Sequence, residues 1–159
     1  MDINVIKRDL YMKNLKIWSL IALFAMVLAG CSDDNTDDGP ANQVDIYGKW
    51  HLVEFCESTP VFDVYVEFTK SGKFNLYQQV WEFTYEHFTG DYTVDGNVVN
   101  GTYSDGSQWL ASYKASVVDN VLILTNKDEV AKYEACKIPS EVITEATTPV
   151  RSEGVVPFL

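Results

Sequence analysis

The sequence is poor in the residues that carry most protein chemistry. It has two histidines, His51 and His87, set far apart, and that spacing offers neither a metal-ligand set nor a catalytic pair. It has no glycine-rich phosphate loop, and no nucleophile sits in a strand-turn-helix setting. Basic residues are scarce, 12 against 23 acidic, for a net charge of −11. Such a surface repels phosphate backbones and excludes nucleic acid as the expected partner. No apolar run reaches the roughly 20 residues of a membrane-spanning helix. Between Val44 and Ile138 nothing keeps a sustained helical period. Carboxylates are plentiful, and Glu54 with Glu67 is the pair that would serve a glycosidase in principle. Strand alternation turns Glu67 outward. No catalytic residue, metal or cofactor is therefore expected, and the chain reads as a non-enzyme.

What the sequence does contain begins with residues 17–30, apolar except for Ser19 and preceded by Lys13 and Lys16. The run ends at Leu28-Ala29-Gly30-Cys31, and Ser32-Asp33-Asp34-Asn35-Thr36-Asp37-Asp38 follows. A run of about 7 to 15 apolar residues is the length of a signal-peptide core. With small residues ending at a cysteine, it resembles the lipobox of a bacterial lipoprotein. The resemblance implies a leader over residues 1–30, with Met12 as the better start. Cleavage would fall before Cys31, which would receive diacylglycerol on its thiol and a further acyl chain, palmitate or similar, on its amino group. Several acyl chains on one residue anchor stably, whereas one is marginal. Ser32-Asp33-Asp34 resembles the surface-export tag of Bacteroides-type lipoproteins, which implies the outer membrane and the cell surface. The alternative is a plain spacer on a periplasm-facing anchor. The leader carries Asp2, Asp9, Lys7, Arg8, Lys13 and Lys16, so its removal leaves 21 acidic and 8 basic residues, a charge of −13.

Residues 31–43 form the acylated cysteine and a tether with too little apolar surface to offset backbone ordering, so the tether is expected to be disordered. Asp33, Asn35 and Asp37 alternate like calcium-loop ligands, but the sixth position holds Asp38 instead of glycine and the twelfth holds Val44 instead of glutamate. That motif fails.

From Val44 onward the pattern changes to short alternating strands. Asp95-Gly96, Asp105-Gly106 and Asp119-Asn120 signal compact hairpins, and Lys70-Ser71-Gly72 a longer one, because these residues tolerate positive φ. Strands are predicted near 46–56, 61–69, 73–80, 87–94, 98–104, 108–117, 121–126 and 130–138. Eight sequential antiparallel strands predict an all-β, closed up-and-down barrel, since closure removes both exposed edges. Parity predicts an inward face of Ile46, Gly48, Trp50 and Leu52; Phe62, Val64, Val66 and Phe68; Phe74, Leu76 and polar Gln78. It continues with Phe88, Gly90, Tyr92 and Val94; Val99, Gly101 and Tyr103; Trp109, Ala111, Tyr113 and Ala115; Leu122 and Leu124; and Ala131, Tyr133 and Ala135. Parity breaks between Val80 and Phe88, where a bulge or loop must absorb the change.

Ile46-Tyr47-Gly48-Lys49-Trp50 carries a Gly-x-Trp first strand. Val64-Tyr65-Val66-Glu67-Phe68 with Gly72-Lys73-Phe74 follows, then Gly101-Thr102-Tyr103-Ser104-Asp105-Gly106 with Trp109 and Tyr113, then Tyr133 and Ile138-Pro139. In this order the elements resemble the lipocalin-like lipoproteins of Bacteroides-type bacteria. The resemblance implies a small lipocalin-like eight-stranded antiparallel barrel over residues 44–140 and places Trp50 at its closed end. Tyr92, Tyr103, Trp109, Tyr113 and Tyr133 point inward by parity and form the candidate wall for an apolar or amphipathic ligand such as a fatty acid or a flat aromatic. The same residues suit a barrel filled by its own side chains, which would make the protein a structural or interaction lipoprotein with partners the sequence leaves unidentified. Residues 141–159 form a tail: Ser140-Glu141-Val142-Ile143-Thr144-Glu145 is expected to make one short capped helical turn, and Phe158-Leu159 to pack on the barrel, with a recognition tail as the other reading. Cys56 and Cys136 fall at opposite barrel ends and on opposite faces, which predicts two free thiols.

Overall fold

The computed structural model describes residues 43–127, 129–149 and 156–159, all within the unit Asp38–Leu159. The expected leader, Cys31 and nearly all of the expected tether lie outside the described residues. Eight antiparallel strands close into one barrel in sequence order: β1 (Gly48–Phe55), β2 (Asp63–Phe68), β3 (Lys73–Gln79), β4 (Glu86–Asp95), β5 (Val98–Tyr103), β6 (Tyr113–Val118), β7 (Val121–Asn126) and β8 (Glu129–Ala135), with β1 pairing β8. The chain is thus the all-β, eight-stranded closed barrel that alternation predicts.

One end of the barrel, the turn end, is made by short hairpins. Asp119 and Asn120 both hold positive φ between β6 and β7, and Gly72 and Gly96 do so at the other two turns. Residues 43–47 run across this end, with the Val44 N–H donating to Gly96 O at 2.9 Å and Ile46 buried. Trp50 is buried beside it and its indole N–H donates to Ile46 O at 2.9 Å. The other end, the mouth, is framed by residues 56–62, 80–85 and 104–112.

Alternation sorts the faces as expected for most strands. Val64, Val66, Phe68, Phe74, Leu76, Leu122 and Leu124 are buried inside, while Lys49–Glu67 and Lys73–Asp91 ion pairs line the outside. This charged exterior over an apolar interior is the reverse of a lipid-facing barrel. Among the described residues no helix is long and apolar enough to cross a membrane.

Several expectations need correction. The register of β1 on β8 slips between Leu52 and Glu54, so a bulge at Val53 reverses the parity of the strand end. Phe55 then packs against the core, and Glu54 goes outward to pair with Lys132 at 2.7 Å. Glu54 and Glu67 are each held by a lysine. Ala135 lies opposite Trp50 on the inner face, as parity assigns, but at the end of the barrel it is exposed. The sixth strand begins at Tyr113, not 108, and β8 ends before Ile138. Asp105-Gly106 does reverse the chain, setting Thr102 opposite Gln108, but the chain then runs on to Ser112 before β6 pairs far back along β5, Tyr113 opposite Val99.

The parity break between Val80 and Phe88 is a loop at 80–85. The helix α1 (Ser140–Glu145) forms where expected but has no side-chain cap; Pro139 occupies the N-cap. Its Val142 joins Ile138 and Tyr77 in a small apolar cluster outside the barrel. Cys56 and Cys136 are free; Cys56 follows β1 at the mouth and Cys136 follows β8 at the turn end.

Candidate functional site

The barrel interior is an aromatic core. Rings in edge or tilted contact run from Phe68 to Trp109 (6.2 Å between centres), Trp109 to Phe74 (5.2 Å) and Phe74 to Tyr103 (5.5 Å). Trp109 also meets Tyr113 at 6.0 Å, and Tyr103 meets Phe88 at 6.0 Å. Such edge-to-face pairs contribute beyond their buried area. Space for the indole comes from Gly101, where an added Cβ would fall 2.0 Å from the Trp109 ring. Trp109 itself lies in the connection before β6 and is turned inward by its N–H bond to Gly101 O at 2.9 Å, while its neighbour Leu110 faces solvent.

Four of the five predicted wall residues come together here: Tyr103, Trp109, Tyr113 and Tyr133, all in the buried core. Tyr92 does not join them. It packs against Phe68 near the turn end, and its hydroxyl donates to Thr69 O at 2.8 Å, tying β4 to the β2–β3 turn. Parity assigned its side correctly, but its height along the strand puts it by the turn.

The polar atoms of this wall are unevenly satisfied. The Tyr103 hydroxyl donates to Leu159 O at 2.6 Å. Trp109 Nε1 and the Tyr133 hydroxyl, on side chains 6 % and 0 % exposed, have no hydrogen-bond partner among the described residues. Burial drives the Tyr133 pKa well above its ordinary value, and the neighbouring Tyr113 and Tyr103 push the same way. Burial, with a smaller push from Glu129, raises Tyr113 to about 12. Tyr133 and Tyr113 are therefore neutral, each with an O–H, and lie close to Tyr103, whose own O–H is given to Leu159. Neutral donors in an apolar enclosure suit an acceptor oxygen carried on a hydrocarbon.

Two inward polar residues are buried: Gln78, which parity placed on the inner face, and Glu86, which the sequence left unassigned. Gln78 Nε2 donates to Glu86 Oε2 at 2.9 Å. The available signal was their parity: Gln78 continues the Phe74–Leu76 face and Glu86 the Phe88–Gly90 face. Above them the segment 156–159 enters the mouth, so the tail packs within the barrel instead of on it. Phe158 lies between Phe55 (5.3 Å) and Phe62 (5.6 Å), and Leu159 is buried in the core.

The histidines lie on the outer face. His51 Nε2 is 2.6 Å from Asp63 and its ring stacks on Tyr65 at 4.5 Å. Tyr85 donates to the other Asp63 oxygen at 2.5 Å. Burial and Asp63 raise Tyr65 to about 12. His87 stacks on Tyr77 at 4.4 Å, and burial lowers its pKa. Nearby, a shallow groove of about 200 Å³ is lined by His87, Thr89, Tyr103, Ser104 and Pro149. Exposed apolar side chains gather at the mouth: Val61, Phe83, Leu110 and, about half exposed, Trp81 and Val156.

No protein-family model matches the chain, and no curated protein matches it. Among solved structures it is similar to an uncharacterized protein from Bacteroides eggerthii, at 18 % identity over 58 % of this chain and 100 % of that one, with a TM-score of 0.47. A likeness at that level says nothing about function.

Proposed function

We propose that this chain is a lipid-anchored, lipocalin-like protein of the bacterial outer membrane that binds a small amphipathic molecule inside its barrel and catalyses no reaction. The observation that carries the binding role is the pair of buried donors, Trp109 Nε1 and the Tyr133 hydroxyl, with no acceptor among the described residues. An unsatisfied buried polar group costs about 1–3 kcal/mol, so two of them in a core otherwise well packed favour a guest that brings an acceptor. Phe68, Phe74 and Phe88 would hold its apolar part, and Tyr103, Trp109, Tyr113 and Tyr133 its polar end.

The anchor rests on the lipobox-like Leu28-Ala29-Gly30-Cys31 and the acidic residues after it. Cys31→Ala is expected to release the protein from membranes and block leader cleavage; an unchanged membrane fraction ends the lipoprotein reading. Protease added to intact cells is expected to degrade the protein, whereas protection assigns a periplasm-facing anchor.

A second reading, a structural or protein-interaction lipoprotein, is favoured by a specific observation: the interior is filled by its own rings and by segment 156–159, while Phe83 is 99 % exposed at the mouth. Native mass spectrometry of protein taken from its own membrane separates the two. A copurifying amphiphile of fixed mass supports the binder. No bound species, together with no uptake of a fluorescent fatty acid, leaves the interaction reading.

A further inference from the structure

The mouth end of the interior is polar where a barrel core is otherwise apolar, and nearly all of that polarity is spent on one segment. The fully buried Gln78 amide is used on both sides: Oε1 accepts the Phe158 N–H at 2.8 Å, and Nε2 donates to Val156 O at 3.3 Å. Its second bond, to Glu86 Oε2, fixes which side of the amide faces which way. Trp81 Nε1 donates to the same Val156 O at 3.1 Å, and Tyr103 donates to Leu159 O. Phe158 fills the space between Phe55 and Phe62, and Leu159 is buried in the core. These contacts grip main-chain groups and apolar side chains, and none of them is an ion pair.

We propose that segment 156–159 is an internal, displaceable ligand of the barrel, and that an amphipathic guest enters by taking its place. The inference rests on the binder reading above and adds to it the way the site opens. Leu159 carries the chemistry expected of the guest: a buried aliphatic group beside an oxygen that accepts from the Tyr103 hydroxyl. A fatty acid offers the same pair, a hydrocarbon chain and a carboxylate. Exchange keeps Tyr103 satisfied, and Trp109 Nε1 and the Tyr133 hydroxyl are the donors to which the guest would bring a further acceptor. Because the segment belongs to the same chain, it competes at an effective concentration on the order of millimolar. The guest's apparent affinity is reduced by the fraction of barrels that are open.

The test uses the full mature chain and a dansyl-labelled undecanoic acid as probe, with circular dichroism and thermal unfolding to confirm the fold. Phe158→Ala combined with Leu159→Ala is expected to bind the probe at least ten-fold more tightly than wild type, and an excess of the free peptide Val-Pro-Phe-Leu to reverse that gain. Equal affinities in the two proteins overturn the exchange and leave the binder reading intact. Binding of labelled peptide but not of probe by the double variant keeps the segment's site and removes the lipid-binding reading. Binding of neither by a folded variant removes both. Should the double variant fail to fold, Trp81→Phe removes one bond to Val156 at the solvent-exposed rim. It is expected to tighten probe binding two- to three-fold, and no change overturns the proposal.

Discussion

The two ends of the barrel are closed in opposite ways. At the turn end several closing contacts are local: Trp50 bonds Ile46 four residues away, and Thr69 bonds Lys73 across the β2–β3 turn, beside the longer-range Val44–Gly96 and Tyr92–Thr69 bonds. At the mouth they join residues 56 and 80 apart in sequence, Tyr103 with Leu159 and Gln78 with Phe158. Local contacts form at little loop-closure cost, while remote ones must offset the ordering of a long chain. The turn end is thus built as a fixed floor. The mouth is closed by contacts between remote parts of the chain, which is where the proposed exchange would open it.

The largest effect that tests this contrast is at the floor. Trp50→Ala is expected to cost about 3–5 kcal/mol, the usual loss for a buried tryptophan, read from the urea midpoint. Phe158→Ala at the mouth, half-buried, is expected to cost less than half as much; equal losses would erase the distinction.

Next comes Gly90, where a Cβ would meet Thr102 O at 2.1 Å and Phe74 at 2.7 Å. Backbone cannot step aside, so Gly90→Ala is expected to cost about 3 kcal/mol, the upper part of the overpacking range. At Gly96 an added Cβ meets nothing and only the positive φ is strained, for about 1 kcal/mol. Denaturation of the two variants side by side separates core clash from turn strain.

A smaller change of opposite sign is expected inside. Tyr133→Phe removes a buried hydroxyl without a partner among the described residues, which raises stability by about 1 kcal/mol and, if the proposed site is right, weakens probe binding. A destabilised variant would mean that the hydroxyl is satisfied in the folded protein.

The smallest effect lies outside the barrel. Burial lowers the His87 pKa, so the fold favours the neutral ring, whose Nε2 lies 3.0 Å from Asn75 Oδ1. Between that lowered value and the ordinary 6.5 the unfolded chain binds more protons. Stability is therefore full above about pH 6.5 and falls as the pH drops through the lowered pKa. His87→Phe keeps a ring against Tyr77 and is expected to flatten the thermal-stability profile below pH 6.5.

The same division between local and remote contacts explains how much was legible in the sequence. Asp119-Asn120, Gly72 and Gly96 announced their turns because positive φ is a property of single residues. The Gly-x-Trp resemblance implied that Trp50 lies at the closed end, and parity placed Val64, Val66 and Phe68 inside, because alternation is local too. Four of the five wall residues were found in this way. Tyr92 points inward but stands apart from the other four, because parity gives a side and says nothing of height. The Val53 bulge left no composition signal, so Glu54 and Phe55 changed faces unannounced. Trp109 points inward as parity required, yet from a connection and not a strand, since its place depends on the empty space at Gly101. The contacts of Phe158 and Leu159 with the interior depend on residues more than 50 positions away, which no periodicity reports.

The eight strands close in one ring, and Gln78 builds a short strand edge within it. Its side-chain amide gives a hydrogen bond to Val156 O and takes one from the Phe158 N–H, groups two residues apart. That is the pattern one residue of a parallel strand presents to its neighbour, so the segment is received by strand addition one residue wide. In this arrangement the N–H of the middle residue points away and is never used. The middle residue here is Pro157, which has no N–H to lose. Proline's usual handicap in a strand therefore vanishes at this position, and its fixed φ holds the two groups that Gln78 reads in an extended chain.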